Sequence, residues 1–291
     1  MRVMRRIQSV DLFAGGGGAT EGMKSAGAEV VLAVDCWDPA IEVHKLNYPN
    51  IPILNIELGG CIYETGDLIR EYLDPDVHFH LHGSPPCTNI TRVNPKADKV
   101  EGMRLVNWFF DLVEYLNPDS WSMENVVGIG KYLDDDLKWL TINSANYGVA
   151  QTRRRVFAGS GWNDPTPSHN ESQWVSMKDA LNLDPSWHLD SGRGNSATCG
   201  INPRTGKQEG GRGKLYRSVD KPSYTITSSS LSLVDDDKNK MRTFTIEEVI
   251  ILMGLPSSYQ IPSTMTKTTA MKILGNMVSP PVIKAIIEAI R

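Results

Sequence analysis

The sequence is poor in the features that announce several common protein classes. Its 291 residues include only four cysteines, Cys36, Cys61, Cys87 and Cys199, with no C-x-x-C pair. That scatter argues against a zinc site of paired cysteines, and it fits a reduced, cytoplasmic protein better than a disulfide scaffold. Formal net charge is only −4, so nothing global calls for a nucleic-acid partner, and any basic surface must be local. The basic start MRVMRRIQSVDLFAG is broken by Asp11 and glycines, and we expect neither a signal peptide nor a membrane span. No segment repeats.

What remains is an ordinary composition, 40% hydrophobic and 22% charged, in a chain long enough for one large domain or a large and a small one. Short Val- and Ile-rich runs at 7–13, 29–35, 51–56, 77–82 and 120–126 read as strands. Helical segments separate them: TEGMKSAG, DPAIEVHKLNY, GDLIREYL and EGMRLVNWFFDLVEYLN. Alternating strands and helices predict an α/β fold, a parallel sheet with helices on both faces and a ligand at the carboxyl edge. Residues 161–240 are loop-rich, and DSGRGNSATCGINPRTGKQEGGRGKLYRS carries six basic residues. TIEEVIILMGLP and SPPVIKAIIEAIR then regain helical character. A regular domain is thus interrupted by a smaller one and completed by the C-terminus.

Four motifs fall at the ligand edge. DLFAGGGGATEG follows the first strand, and Asp35 ends the next about 20 residues on, the arrangement of a loop and ribose-binding acid for a nucleoside cofactor. The loop lacks the lysine of a Walker motif, while a loose G-x-G-x-x-G match keeps a nicotinamide dehydrogenase as one alternative. HLHGSPPCTNIT holds Cys87 behind Pro85 and Pro86, which restrict where the sulfur points; the bland reading is an inert buried thiol. MENV places Glu124 and Asn125 at the end of the fifth strand, where a carboxyl is a candidate general acid or base. In QTRRRVF, Gln151, Arg153 and Arg155 share one face of an extended segment and Arg154 points away. HFHLH sets His78, His80 and His82 on one strand face. The outer pair is roughly 13 Å apart at that spacing, too far for one ion. They read as core or helix-facing residues, His82 being the one nearest the cofactor.

DLFAGGGG, GSPPC, MENV, QTRRR, RTFTIEEVIILMGLP and GNMVSPPV, in this order, resemble the cytosine-C5 DNA methyltransferases over residues 7–159 and 241–291. The resemblance implies a Rossmann-like S-adenosylmethionine-dependent methyltransferase sheet with a smaller inserted target-recognition domain. The corresponding units are residues 1–160, 161–240 and a completing segment 241–291. It implies Cys87 as the nucleophile adding to cytosine carbon 6, Glu124 as the acid at ring N3, and Arg153 and Arg155 as residues that steady the base. On the cofactor side it implies Asp11, Phe13, Ala14, Gly15, Gly17, Gly18, Asp35, Cys36, Trp37, Pro86, Trp108, Asn276 and Val278. Asn55, or alternatively Asp67, would read the adenine amine.

Further expectations follow from the same resemblance. The family's glutamine after Pro-Cys is replaced by Thr88, which alters the base-side contacts. Thr88, Arg92 and Lys96 lie in a segment that would close over DNA. Arg193, Arg204, Lys207, Arg212, Lys214, Arg217, Thr225 and Thr227 would contact the duplex from the middle region. The implied protein is a cytoplasmic monomer of a bacterial, archaeal or phage-infected cell, acting on double-stranded DNA, with no metal, and with a cognate restriction enzyme as a conceivable partner. The alternatives are a tRNA cytosine methyltransferase of the same fold and a non-catalytic DNA-binding relative.

Overall fold

The computed structural model describes residues 6–86, 99–190, 216–227, 231–235 and 240–290. Elements in chain order are β1 (Ile7–Leu12), α1 (Gly18–Ser25), β2 (Glu29–Asp35), α2 (Asp38–Asn47), β3 (Ile53–Asn55), α3 (Ile62–Arg70), β4 (His78–Gly83), α4 (Lys99–Leu116) and β5 (Ser120–Val126). There follow β6 (Trp139–Asn143), β7 (Gln151–Thr152), β8 (Arg154–Ser160), α5 (Met177–Leu181), β9 (Trp187–Asp190), β10 (Tyr216–Ser218), β11 (Ser223–Tyr224), β12 (Ser232–Asp235) and β13 (Lys240–Thr243). The chain ends with α6 (Ile246–Leu252), α7 (Lys267–Asn276) and α8 (Pro280–Glu288).

The main sheet has the order β3-β2-β1-β4-β5-β8-β6. Strands β3 to β5 pair in parallel. The sheet is parallel-dominated as expected, and at its far side β8 is antiparallel to both β5 and β6. Strand β8 returns from β6 through a short connection, and a short return favours antiparallel pairing, whereas parallel pairing requires a crossover. The chain runs from β1 outward to β3, then back to β4 on the other side of β1. The carboxyl ends of β1 and β4 therefore flank a topological switch point, where open α/β sheets bind ligands.

The central strands are buried along nearly their whole length. Val10, Leu12, Leu81 and Met123 pack with Val106, Phe109 and Leu112 of α4 on one face. Full burial of each such side chain contributes roughly 1.5–3 kcal/mol. On the other side α8 lies against α1. An added Cβ at Gly22 would stand 2.5 Å from the Pro280 carbonyl oxygen, so glycine permits that close approach. A four-stranded antiparallel sheet, β10-β9-β12-β13, forms the second unit. Its Leu189, Val219 and Leu233 share a core with Met177 and with Phe244, Val249 and Leu252 of the returning C-terminal segment. Strand β13 of that sheet begins at Lys240, and the C-terminal segment continues from it into α6 at Ile246. Among the described residues, one stretch, Lys267–Glu288, is long and apolar enough to span a membrane, and most of it is packed inside the fold as α7 and α8.

Candidate functional site

The glycine loop turns sharply at the end of β1. Phe13, Gly15 and Gly17 all have positive φ, at 58°, 55° and 92°. A left-handed phenylalanine costs on the order of 1–3 kcal/mol unless its surroundings hold it. Ser84 Oγ donates to the Phe13 carbonyl at 3.1 Å, and the Phe13 ring meets Trp108 edge-on. Asp35 fixes the next turn. Its carboxylate accepts from Gly15 N at 2.8 Å and from Cys36 N and Trp37 N at 2.9 Å. The acid expected at a ribose is therefore also the anchor of the loop; carboxylate oxygens keep spare lone pairs for a hydroxyl. Ala14 N donates to Val34 O, and Gly17 N to Ala14 O. Tyr259 OH donates to Gly16 O at 2.6 Å, while a Cβ at Gly18 would strike the Val278 carbonyl. An ideal Cβ at Gly15 would meet nothing within 4 Å, so the loop presents an open cradle there.

Around that cradle, Trp37 is half-buried with Lys272 Nζ 4.4 Å above its ring. Cys36 is exposed; partial desolvation and the carboxylates of Asp35, Glu57 and Asp38 push its thiol pKa up, away from nucleophilic use. Asn55 ends β3 in register with Asp35 and donates from Nδ2 to Asp38 Oδ1 at 2.6 Å. The alternative, Asp67, instead accepts from Arg70 and Tyr115 at the α3–α4 contact. Trp108 Nε1 donates to Gly60 O, and Pro86 is exposed. Asn276 is exposed at the end of α7, and Val278 is buried. Asp11 is wholly buried, with Oδ2 accepting from Thr20 Oγ1 at 2.7 Å. Burial pushes its pKa to about 7. Asp11 thus braces α1 from within the sheet and does not line the cradle.

Glu124 and Arg155 form the second half of the site. They face each other across β5 and β8, with Arg155 Nε 3.0 Å from Glu124 Oε1. Burial raises the Glu124 pKa above the usual carboxylate range, and Arg155 and then Arg153 oppose the rise. A carboxyl so placed holds a proton more readily than a surface glutamate. Asn125 Nδ2 donates to Pro85 O at 3.1 Å, which ties the Pro-Pro turn to the end of β5 beside Glu124. Cys87, Thr88, Arg92 and Lys96 lie outside the described residues, as do Arg193, Arg204, Lys207, Arg212 and Lys214.

Arg153 sits apart from Arg155. It is buried and donates to the carbonyls of Ile226 at 3.0 Å, Gly275 at 3.1 Å and Met277 at 2.8 Å. Gln151 donates to Leu252 O and accepts from Ile226 N, both at 2.8 Å. The segment is not evenly extended, since Arg153 N donates to Gln151 O at 3.0 Å, and the Arg153 guanidinium holds the C-terminal segment around Asn276 and the segment at Ile226. It serves as a positioning residue. Arg217 is likewise engaged, with Thr152 Oγ1 and the carbonyls of Pro222 and Ser223, and it stacks 3.9 Å over Tyr224. Thr225 Oγ1 donates to Thr152 O; Thr227 is exposed. Sequence reasoning assigned no role to Ser84, Asp38 or Tyr259. Ser84 and Tyr259 act on partners 71 and 243 positions away, and no local pattern marks them.

Fold and site together define an α/β domain with an open glycine-loop cradle and a buried acid–arginine pair at the carboxyl edge of its sheet. The model of the C-5 cytosine-specific DNA methylase family matches residues 7–134 and 166–291. The chain belongs to that family. It is 30% identical to the type II methyltransferase M.AgeI of Thalassovita gelatinovora over 63% of this chain and 47% of that protein. It is 28% identical to the type II methyltransferase M.HindV of Haemophilus influenzae over 98% of this chain and 96% of that one. Like M.AgeI, M.DdeI of Desulfomicrobium norvegicum is spanned to 47%, so the chain covers about half the length of these two relatives. The fold is similar to that of a DNMT2 mutant from Spodoptera frugiperda, with a TM-score of 0.65 and 19% identity over 97% of this chain and 99% of that one. It is also similar to a putative DNA modification methyltransferase from an E. coli prophage, with a TM-score of 0.68 and 19% identity over 97% and 98%.

Proposed function

We propose that the protein transfers a methyl group from S-adenosylmethionine to carbon 5 of a cytosine flipped out of duplex DNA, with Cys87 as the transient nucleophile. The observation that carries this reading is the buried Glu124–Arg155 pair at the carboxyl edge of β5, tied through Asn125 to the Pro-Pro turn that leads into Cys87. The residues around Gly15 fit a nucleoside cofactor: an open cradle at the loop, a carboxylate holding its turn, and an indole beside it. When bound, S-adenosylmethionine supplies an electrophilic methyl group.

The chain's own residues do the rest. Cytosine carbon 5 is a poor nucleophile, and a thiolate added at carbon 6 activates it. Attack places negative charge on the ring, and the raised Glu124 carboxyl neutralises it by holding a proton at N3. Arg155 orients that carboxyl and contacts the base. Arg153 and Gln151 hold the cofactor-side and DNA-side segments at a fixed distance. Flipping costs roughly a few kcal/mol, offset by contacts to the extruded base and its backbone. Residues 161–240 read the target, and the basic residues of 193–217 supply phosphate and base contacts. The enzyme works as a cytoplasmic monomer; a restriction endonuclease with the same target is a fitting partner.

Duplex DNA carrying 5-fluorocytosine tests the reading, because fluorine at carbon 5 blocks the final elimination. A covalent adduct that forms with cofactor and vanishes in Cys87→Ser is expected. An adduct that survives Cys87→Ser overturns the mechanism. Methylation of tRNA with none of duplex DNA overturns the substrate.

A further inference from the structure

Phe13 holds a conformation that its residue type resists. Among the described residues only Phe13, Asn117 and Asn182 combine a side chain with positive φ. Asparagine tolerates the left-handed region because its short polar side chain bonds locally, and phenylalanine has no such help. Glycine takes such a turn without strain, as Gly15 and Gly17 do in the same loop. What phenylalanine adds over glycine is a ring, and its backbone has to be held by its surroundings.

The ring is half-buried, two residues before the open position at Gly15, and it meets Trp108 edge-on with centroids 6.1 Å apart. Trp108 is itself fixed, since its Nε1 donates to Gly60 O at 2.8 Å. The backbone is held from the neighbouring strand. Ser84 is the first residue beyond β4, and Gly83 before it is in register with Leu12. Ser84 N donates to Leu12 O at 3.2 Å, and Ser84 Oγ donates to Phe13 O at 3.1 Å. The first bond continues the sheet ladder and needs only a main-chain N–H. The second lies past the ladder and needs a hydroxyl. Rotation of Phe13 back to negative φ would carry its carbonyl, and the loop after it, off that hydroxyl, so the bond stabilises the left-handed form. Beyond the turn, Ala14 N donates to Val34 O at 3.0 Å and Gly15 N to the Asp35 carboxylate at 2.8 Å. The loop is therefore fixed on β2 after the turn and on Ser84 at the turn. On the other side of β4, Pro85 O accepts from Asn125 Nδ2 at 3.1 Å. Residues 84 and 85 thus join the glycine loop to the strand that carries Glu124.

We propose that Ser84 is a positioning residue for the methyl donor. It does not touch the cofactor. Its hydroxyl holds Phe13 left-handed, so that the phenylalanine ring and the cradle at Gly15 present one preformed surface to the adenosyl group. The apparent affinity of a site scales with the fraction of protein already in the binding-competent form. Without the hydroxyl, Phe13 relaxes toward negative φ, that fraction falls, and binding has to restore the strained turn.

The inference rests on the reading of S-adenosylmethionine as the cofactor, and the experiment separates the two. Binding of S-adenosylhomocysteine is measured by calorimetry for wild-type protein, Ser84→Ala, Phe13→Gly and the double variant. Ser84→Ala should weaken binding on the order of tenfold, the effect of about 1.4 kcal/mol. Phe13→Gly loses the ring, and affinity with it, but it also relieves the strain. Adding Ser84→Ala to Phe13→Gly should then change affinity by less than about twofold, the non-additivity of a hydroxyl that acts through the conformation at position 13. An equal loss from Ser84→Ala in both backgrounds overturns the inference, because a merely structural role is blind to position 13. So does a Ser84→Ala protein that binds as tightly as wild type. A second measurement needs no change at Phe13. In steady-state methylation Ser84→Ala should raise KM for S-adenosylmethionine and leave KM for duplex DNA unchanged, and a parallel rise of both overturns the inference. Wild-type protein that does not bind S-adenosylhomocysteine overturns the cofactor reading, and the role of Ser84 with it.

Discussion

Glu124 shows how a single position combines two opposing influences. Burial disfavours its charged form, and the arginines at 155 and 153 favour it; the net direction is upward. The protonated form serves the proposed step, so kcat/KM should fall as pH rises through the elevated Glu124 pKa. Glu124→Gln keeps the shape and a weaker contact to Arg155 but has no acidic proton. We expect methyl transfer to drop by about 10²–10⁴-fold and that limb of the pH profile to vanish, as read by single-turnover kinetics. Asn55 gives a second residue-level expectation. The neighbouring Asp38 carboxylate lies 2.6 Å from the Asn55 amide nitrogen. Hydrogen-bond polarity therefore turns the Asn55 oxygen away from Asp38. Asn55→Asp would set two carboxylates against each other and raise one pKa. Affinity for S-adenosylhomocysteine, measured by calorimetry, should fall roughly tenfold, the effect of about 1.4 kcal/mol.

At the level of elements, the packing of α8 on α1 sets two effects of opposite sign in competition at Gly22. Alanine in a helix is favoured over glycine by up to about 1 kcal/mol. The added methyl, however, would stand 2.5 Å from the Pro280 carbonyl and 2.6 Å from Ile283 Cβ. Overpacking of this kind costs about 1–3 kcal/mol. Packing wins because the opposing atom is backbone, so Gly22→Ala should lower the urea midpoint without a change in slope. The same scale explains what the sequence made legible. Strands β1 to β5 announce themselves through apolar runs, and β2 and β5 have the bounds read from them. Helix α3 begins at Ile62, four residues before the segment GDLIREYL, because Gly66 lies inside it where the helix packs against Tyr115. Strands β9 to β12 are two to four residues long, too short for any period, and owe their existence to contacts such as Leu189 and Leu233 in a shared core. Helix α7, KTTAMKILGN, opens with polar and β-branched residues and went unread. At the site, the motif residues Glu124 and Arg155 were legible as a pair of types at strand ends. The clamp made by Arg153 was not, since its partners lie 73 to 124 positions away.

The whole molecule is closed by its C-terminal segment: Tyr259 holds Gly16, Arg153 holds Gly275 and Met277, and α8 covers α1. The interior so enclosed contains His44, His80 and His82 with two acids, Asp11 and Glu124, and these groups govern how stability varies with pH in the range from 5 to 8. Burial lowers His44 to about 4, aided by Lys24, and His82 to about 3; His80 is lowered by burial and then by its two neighbouring histidines. In the unfolded chain each titrates near 6.5. Below that value the unfolded chain takes up protons that the folded one refuses, so their contribution is full above about 6.5 and is lost as pH falls. Asp11 acts in the opposite sense. Its folded pKa of about 7 exceeds its unfolded value of 3.8, so its contribution is present in acid and is lost as pH rises through 7. Glu124, raised by burial, acts in the same sense as Asp11; near pH 5 to 6 three histidines outweigh the two carboxyls and stability rises with pH, and toward 7 the slopes cancel. Urea midpoints measured from pH 5 to 8 should therefore climb to about 7 and then level off. A midpoint that rises as the pH is lowered from 7 to 5 would mean that these imidazoles are charged in the folded protein, against the direction in which burial pushes them.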